Sequence, residues 1–211
     1  EHIDYILIDT PHEKITLLAN NNNIPIETVS TDIFKTIPTV KSSQGIVAVA
    51  KTPSPKQEIN PAYNKIICLL DINKPANLGA ILRNAHAFKC DALILSPDCV
   101  DPFHPESIRA AAGHVFHVPI IPLTSENTLT LQQHYTCYQL DPQAKTTLPN
   151  RTENHKECFI FGSEMGFHAQ KWPILEQAHP LCIPQHPRIN SLNISVSTGI
   201  VLFHVFMGIT K

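Results

Sequence analysis

The chain has 211 residues, 43% hydrophobic and 16% charged, with 16 basic residues against 18 acidic ones and a net charge of −2. That length holds one medium domain, or a domain with a small appendage, and the apolar share supplies a sizeable core. The charge balance advertises no basic surface, which counts modestly against a non-specific grip on nucleic acid and leaves room for a local basic patch.

Residues 1–51 read as a small α/β unit. Ile3 to Ile8 is a strand pattern, and Pro11 precedes a helix carrying Ile15, Leu17 and Leu18 that Asn20 to Asn23 stop. Ile24 to Val29 reads as an edge strand because of Pro25, Ser30 to Asp32 cap a short helix through Phe34, and Gly45 to Ala50 reads as a buried strand. Residues 52–62, with three prolines and no periodicity, read as a linker.

From residue 63 onward strands and helices alternate, which predicts a mostly parallel sheet covered by helices. The predicted strands are Lys65–Asp71, Asp91–Leu95, Val115–Ile121, Tyr135–Leu140, Cys158–Gly162 and Pro180–Ile183. The predicted helices are Leu78–Phe88, Pro105–Ala112, Ser125–His134, Ala169–Gln177 and Leu192–Ile209. The last contains the longest apolar tract, Ile200 to Ile209, which is too short to span a bilayer and is interrupted by His204 and Gly208.

No pair of the six cysteines has C-x-x-C spacing, so no zinc site is expected; buried, reduced thiols fit a reducing cytoplasm. His114 and His117, placed on a strand, would point to opposite faces, so no metal is expected from them. There is neither G-x-x-x-x-G-K-[ST], nor G-x-G-x-x-G, nor G-x-S-x-G, which leaves a nucleotide-binding fold or a serine hydrolase little support.

Three junctions share a strand, polar loop and turn. In the first, a strand ends at Asp71 and Asn77 stands where a helix begins, with Arg83 inside that helix on a face apart from Ile81, Leu82 and Ala85. In the second, Phe159-Ile160-Phe161 runs into Gly162-Ser163-Glu164, at the carboxyl end of a strand, where open α/β sheets bind ligands. In the third, Ile183-Pro184 leads through a polar loop to Ser191-Leu192-Asn193 at the start of a helix, where Ser and Asn cap free N–H groups or hold a polar ligand.

In order and spacing these junctions resemble the three motifs of the SpoU (TrmH-type) RNA ribose 2'-O-methyltransferases, members of the SPOUT superfamily. Asn77-x-Gly79-Ala80-Ile81-x-Arg83 resembles the first, Gly162-x-Glu164 the second, and Ile183-Pro184 with Ser191-Leu192-Asn193 the third. A weaker match, Arg109-Ala110-Ala111-Ala112-Gly113, has Ala111 where the family often has Ser. Pro187 and Gln185 stand where Gly and Met are common, and the second motif is one residue short before Gly166. Gln44-Gly45-Ile46 resembles the close of a ribosomal-protein-like substrate-binding domain found in many such enzymes.

The resemblance implies an α/β domain over 63–211 with helices on both faces and a C-terminal trefoil knot, and a partial ribosomal-protein-like unit over 1–51. It implies S-adenosylmethionine as cofactor, RNA as substrate (ribosomal before transfer RNA), a homodimer, and no metal or membrane. Arg83, Asn77, Glu164, Ser191 and Asn193 inherit catalytic or substrate-supporting roles. The backbone at Gly162, Ile183 and Leu192, with Asn193, inherits cofactor binding. The alternatives are a transfer-RNA 2'-O-methyltransferase, and an RNA- or ribosome-binding protein that keeps the fold without turnover.

Overall fold

A computed structural model describes residues 3–37, 44–148, 155–162 and 171–207. Backbone contacts divide the chain into two units, 1–54 and 55–211.

In the first unit β1 (Ile3–Ile8) is the central strand of three, parallel to β2 (Ile26–Thr28) and antiparallel to β3 (Ile46–Ala50). Helices α1 (Glu13–Asn21) and α2 (Thr31–Phe34) complete it, and the Ser30 hydroxyl accepts from the Ile33 N–H at 3.4 Å, capping α2. β3 is half-exposed where a buried strand is expected, because it forms the edge of so small a sheet.

The second unit holds β4 (Lys65–Leu69), α3 (Pro75–Ala87), β5 (Ala92–Leu95), α4 (Pro105–Ala111), β6 (Ile120–Pro122), α5 (Ser125–His134), β7 (Thr136–Leu140), β8 (Glu157–Phe161), β9 (His179–Leu181) and α6 (Ile194–Met207). The six strands are all parallel, in the order β6-β5-β4-β8-β7-β9. Strand alternation splits the core between two faces. Ile67, Leu69, Leu93, Phe159 and Phe161 meet Leu78, Ile81, Leu82 and Ala85 of α3, Ala111 of α4, and Val201, Leu202 and Val205 of α6. Ile66, Cys68, Ile94, Cys158 and Ile160 meet Leu131 of α5 and Ile174 and Leu175 of a 3₁₀ turn, Pro173–Gln177. Each such fully buried aliphatic side chain contributes about 1.5–3 kcal/mol.

Several expected boundaries move. The first junction's helix starts at Pro75, with Lys74 as its N-cap, so Asn77 lies inside the first turn instead of capping it. Proline at the first helical position costs no hydrogen bond, which lets the helix begin early. The predicted strand from Val115 does not form: Ala112 and Gly113 turn left-handed (φ 50° and 82°), and His114–Phe116 closes as a 3₁₀ turn before β6. The predicted helix 169–177 is, over its described part, only the 3₁₀ turn opened by Pro173. The final helix begins at Ile194, so Ser191 and Leu192 precede it. Of the residues read as linker, Ile59 is buried in the second unit and the Gln57 carbonyl accepts from Asn127 Nδ2 at 2.9 Å.

All six cysteines are free, and four are buried; burial pushes the Cys90 thiol up to about 12. No helix among the described residues is long and apolar enough to cross a membrane.

Candidate active site

In a parallel sheet every carboxyl end lies on one edge. The chain proceeds from β4 outward to β5 and β6, then returns to β7 and β8 on the other side of β4. The strand order therefore reverses between β4 and β8, and open parallel sheets hold ligands in the crevice at the carboxyl end of such a reversal. The first junction follows β4 and the second follows β8. The third runs from β9, at the sheet's edge, back to α6.

The first and third junctions meet. Asn193 Nδ2 donates to Asn77 Oδ1 at 3.1 Å, across 116 residues of sequence. Asn193 Oδ1 accepts from the Ser195 N–H at 2.9 Å and the Ser195 hydroxyl at 2.6 Å, and the Asn193 carbonyl accepts from Ser197 N–H at 2.9 Å. Asn193 is thus the cap of α6, and its amide is left with one N–H uncommitted among the described residues. Ser191 is exposed and takes no part in this capping.

A second bond supports the first. Asn84, seven residues beyond Asn77 and so on the same side of α3, donates from Nδ2 to the Ser195 carbonyl at 2.9 Å. Gly199 faces it: a Cβ there would lie 3.1 Å from Asn84 Nδ2. Neither Asn84 nor Gly199 stood out in the sequence; the seven-residue spacing from Asn77 is the signal that finds Asn84.

Gly79 brings α3 against α4. A Cβ at Gly79 would lie 2.2 Å from the Ser107 carbonyl oxygen and 2.6 Å from the Ala110 Cβ. Ala111, fully buried, belongs to the same contact. Alanine there serves packing, where the family resemblance pointed to a serine.

Arg83 is exposed and makes no ion pair among the described residues. Six residues from Asn77, it points about 120° away around the helix and lies about 9 Å further along it. It is therefore not brought to the Asn77–Asn193 pair within one chain. Glu164 and Ser163 lie outside the described residues. Gly162, Ile183 and Leu192 are half-buried, and none makes a backbone hydrogen bond among the described residues.

Asp71, at the end of β4, was not singled out in the sequence as a site residue. Its backbone is left-handed (φ 58°) and its N–H donates to the Ser96 hydroxyl at 3.0 Å. Its carboxylate accepts from Lys171 Nζ at 2.8 Å and from the Trp172 indole N–H at 3.0 Å. Lys171 also pairs with Asp98 at 2.7 Å. Asp71, then Asp98, hold the Lys171 ammonium above the usual lysine range. The chain that follows the second junction is thereby tied to the crevice.

Trp172 is the only tryptophan, so its fluorescence reports this corner. In Asp71→Asn the Trp172 emission is expected to shift to the red as the indole loses its acceptor. An unchanged spectrum contradicts the tie.

The histidines at 114 and 117 do not sit on a strand. They lie at the ends of the 3₁₀ turn, three apart on one side, and His86 of α3 stacks on His114 and lies tilted against His117, both at 4.7 Å between ring centroids. No group of three or more potential ligands among the described residues is arranged to hold a metal.

The model of the SpoU rRNA Methylase family matches residues 64–203. This chain belongs to that family. Among its SpoU-like relatives, an uncharacterized tRNA/rRNA methyltransferase of Synechocystis sp. is 32% identical over 180 residues, 83% of this chain. The chain spans only 65% of that protein's length and 59% of a similar one from Mycoplasma pneumoniae. The 23S rRNA (guanosine(2553)-2'-O)-methyltransferase RlmP of Bacillus subtilis is 27% identical over 191 residues, covering 84% of this chain and 71% of RlmP. A crystallised RNA 2'-O ribose methyltransferase superposes with a TM-score of 0.77 at 25% identity, over 96% of this chain and 80% of its own. An AdoMet-bound rRNA methyltransferase from Sinorhizobium meliloti shares the fold, with a TM-score of 0.81 at 23% identity over 99% of this chain and 81% of its own.

Proposed function

We propose that this SpoU chain transfers the methyl group of S-adenosylmethionine to a ribose 2'-hydroxyl of RNA, with ribosomal RNA the preferred substrate over transfer RNA. The observation that carries the reading is the Asn77–Asn193 bond, which closes the first and third motifs over the switch point of a parallel sheet. The Bacillus subtilis relative is named for this reaction on 23S rRNA.

The crevice suits the cofactor. Gly162, Ile183 and Leu192 are half-buried and keep their backbone polar groups uncommitted among the described residues. Half-buried backbone groups need partners, and an adenine or ribose edge offers them. When bound there, S-adenosylmethionine supplies an electrophilic methyl on a sulfonium.

The protein's part is positioning and charge. Asn77 holds Asn193, and through it the start of α6, in one orientation. The remaining Asn193 N–H and the exposed Ser191 hydroxyl face the substrate, and Glu164 binds it from the second motif. Arg83 would clamp the phosphate beside the reacting ribose and stabilise the developing alkoxide while the 2'-OH proton passes to solvent water, the oxygen–methyl bond forming as the methyl–sulfur bond breaks and the neutral thioether departs. A guanidinium titrating above about 12 is a poor base, but its forked donors match a phosphate.

A homodimer is part of the proposal. Arg83 points away from its own chain's Asn193, so a second copy is the natural source of the guanidinium. Val196, Ile200 and Phe203 form an exposed apolar stripe on α6, at 50%, 37% and 52% exposure. Spacings of four and three residues put them on one side of the helix, a seam that suits a partner.

The C-terminal trefoil knot is likewise proposed. It is supported by the path of residues 182–193, which cross from β9 at the edge past β7 and β8 to reach Asn77 after β4. The unit over residues 1–51 is proposed as part of a ribosomal-protein-like RNA-binding domain, its three-stranded sheet and two short helices supporting that reading. The free thiols fit the cytoplasm.

The test is labelled methyl transfer from S-adenosylmethionine to unmodified ribosomal RNA and, separately, to transfer RNA. Label on ribosomal RNA is the expected result. Label confined to transfer RNA overturns the preference, and label on neither, with cofactor binding demonstrated, overturns the enzyme.

A further inference from the structure

Gly79, Arg83 and His86 lie at spacings of four and three residues, along one side of α3. Gly79 abuts Ser107, Ala110 and Ala111 of α4. His86 abuts the turn that follows, its ring centroid 4.7 Å from both His114 and His117, which are 6.1 Å from each other. Arg83 is exposed on the stripe between these contacts, about 4.5 Å along the axis from His86.

We propose that His86 and His117 form a subsite for an RNA phosphate next to the one held by Arg83. This rests on the RNA reading above. The two rings are exposed, whereas His114 is half-buried. His114 Nδ1 is shielded from solvent with no hydrogen-bond partner among the described residues. His114 therefore packs behind His86 as a platform, and the exposed His86 and His117 rings are the ones placed to donate to a phosphate.

The surroundings fit an anion. The charged and titratable residues on the packed elements are Arg83 of α3, Glu106 and Arg109 of α4, the two other histidines, and His204 of α6, with Lys89 just after α3. Glu106 is at the far, first turn of α4, whereas Arg109 is in its last turn, next to the 3₁₀ turn. A metal does not fit: His86 and His114 stack at 19°, so their nitrogens lie in nearly parallel planes instead of converging.

Desolvation, then His117 and His114, lowers the His86 imidazole below its ordinary range, which favours its neutral form when no anion is bound. A phosphate restores the proton and is gripped by a charge-assisted bond. The subsite therefore strengthens RNA binding as pH falls from 8 to 6.

The experiment measures the dissociation constant of the full chain for unmodified ribosomal RNA between pH 6 and 8 at fixed ionic strength, with methyl transfer recorded in parallel. For the wild type, binding is expected to weaken roughly three- to tenfold from pH 6 to 8, as one or two phosphate contacts are lost. His86→Asn/His117→Asn should bind at pH 6 as the wild type does at pH 8, with a flat profile and unchanged affinity for S-adenosylmethionine. His86→Arg should keep tight binding at pH 8. If the double variant keeps the wild-type profile, or the wild type binds RNA independently of pH or not at all, the subsite is wrong. If RNA binds with the expected profile but no methyl is transferred, the subsite stands and the enzymatic reading fails.

Discussion

Arg83→Ala is expected to lower the rate of methyl transfer by roughly 10²–10³-fold, the typical loss when a preorganised donor to a developing oxyanion is removed. Arg83 is exposed, and its side chain makes no ion pair among the described residues, so stability and cofactor affinity should stay within about twofold of the wild type. Arg83→Lys keeps the charge and loses the planar fork, and should recover only part of the rate. The same variant separates clamp from base. A base must be deprotonated to act, so with arginine titrating above about 12 or lysine near 10.4 a residue acting as base would make the rate rise about tenfold per pH unit between pH 6 and 9 in both proteins. A clamp acts as the cation, so it adds no such rise, and the lysine variant keeps the wild-type profile between pH 6 and 9 at a lower height.

The second large effect is on stability. In Gly79→Ala the new Cβ would fall 2.2 Å from the Ser107 carbonyl oxygen, and backbone cannot swing aside as a side chain does. Helices α3 and α4 must separate, uncovering part of the core formed by Leu78, Leu82 and Ala111. Overpacking of this kind costs about 3 kcal/mol, and the helix preference of alanine over glycine returns about 1 kcal/mol. The net loss of about 2 kcal/mol corresponds to a melting temperature lower by about 4–8 °C.

Gly199→Ala is the matched comparison. Its nearest neighbour is the flexible Asn84 amide at 3.1 Å, so the helix gain roughly offsets the contact. The two substitutions should differ by several degrees in thermal unfolding. Equal melting temperatures would show that the α3–α4 contact is looser than described.

Much of this was legible in the chain because local pattern and tertiary structure agree. The strand runs around Ile66, Leu93 and Cys158 are apolar on both faces, as a doubly covered parallel sheet requires, and with the run around Tyr138 they appear as strands within a residue or two of their predicted bounds. The Asn77 and Asn193 junctions were also legible, although their direct bond was not, because nothing local reports a contact across 116 residues. Asp71 was missed for the same reason: its partners Lys171 and Trp172 are about a hundred residues away.

The misread stretch around His114 has a different cause. Val115, Phe116 and Val118 look like a strand, but the left-handed pair Ala112 and Gly113 turns the chain back, and the 3₁₀ turn that results packs His114 and His117 on α3. A backbone reversal at an alanine carries almost no sequence signal. That reversal also assembles the histidine cluster, which alternation along a strand would have split between two faces.

The most direct test of the central claim is where the methyl group lands. After transfer from labelled S-adenosylmethionine to unmodified ribosomal RNA, alkaline hydrolysis cleaves every linkage except one whose ribose 2'-oxygen is blocked. Label is expected in alkali-stable dinucleotides, and is expected to be absent with Arg83→Ala. Label recovered in mononucleotides methylated on the base would contradict it.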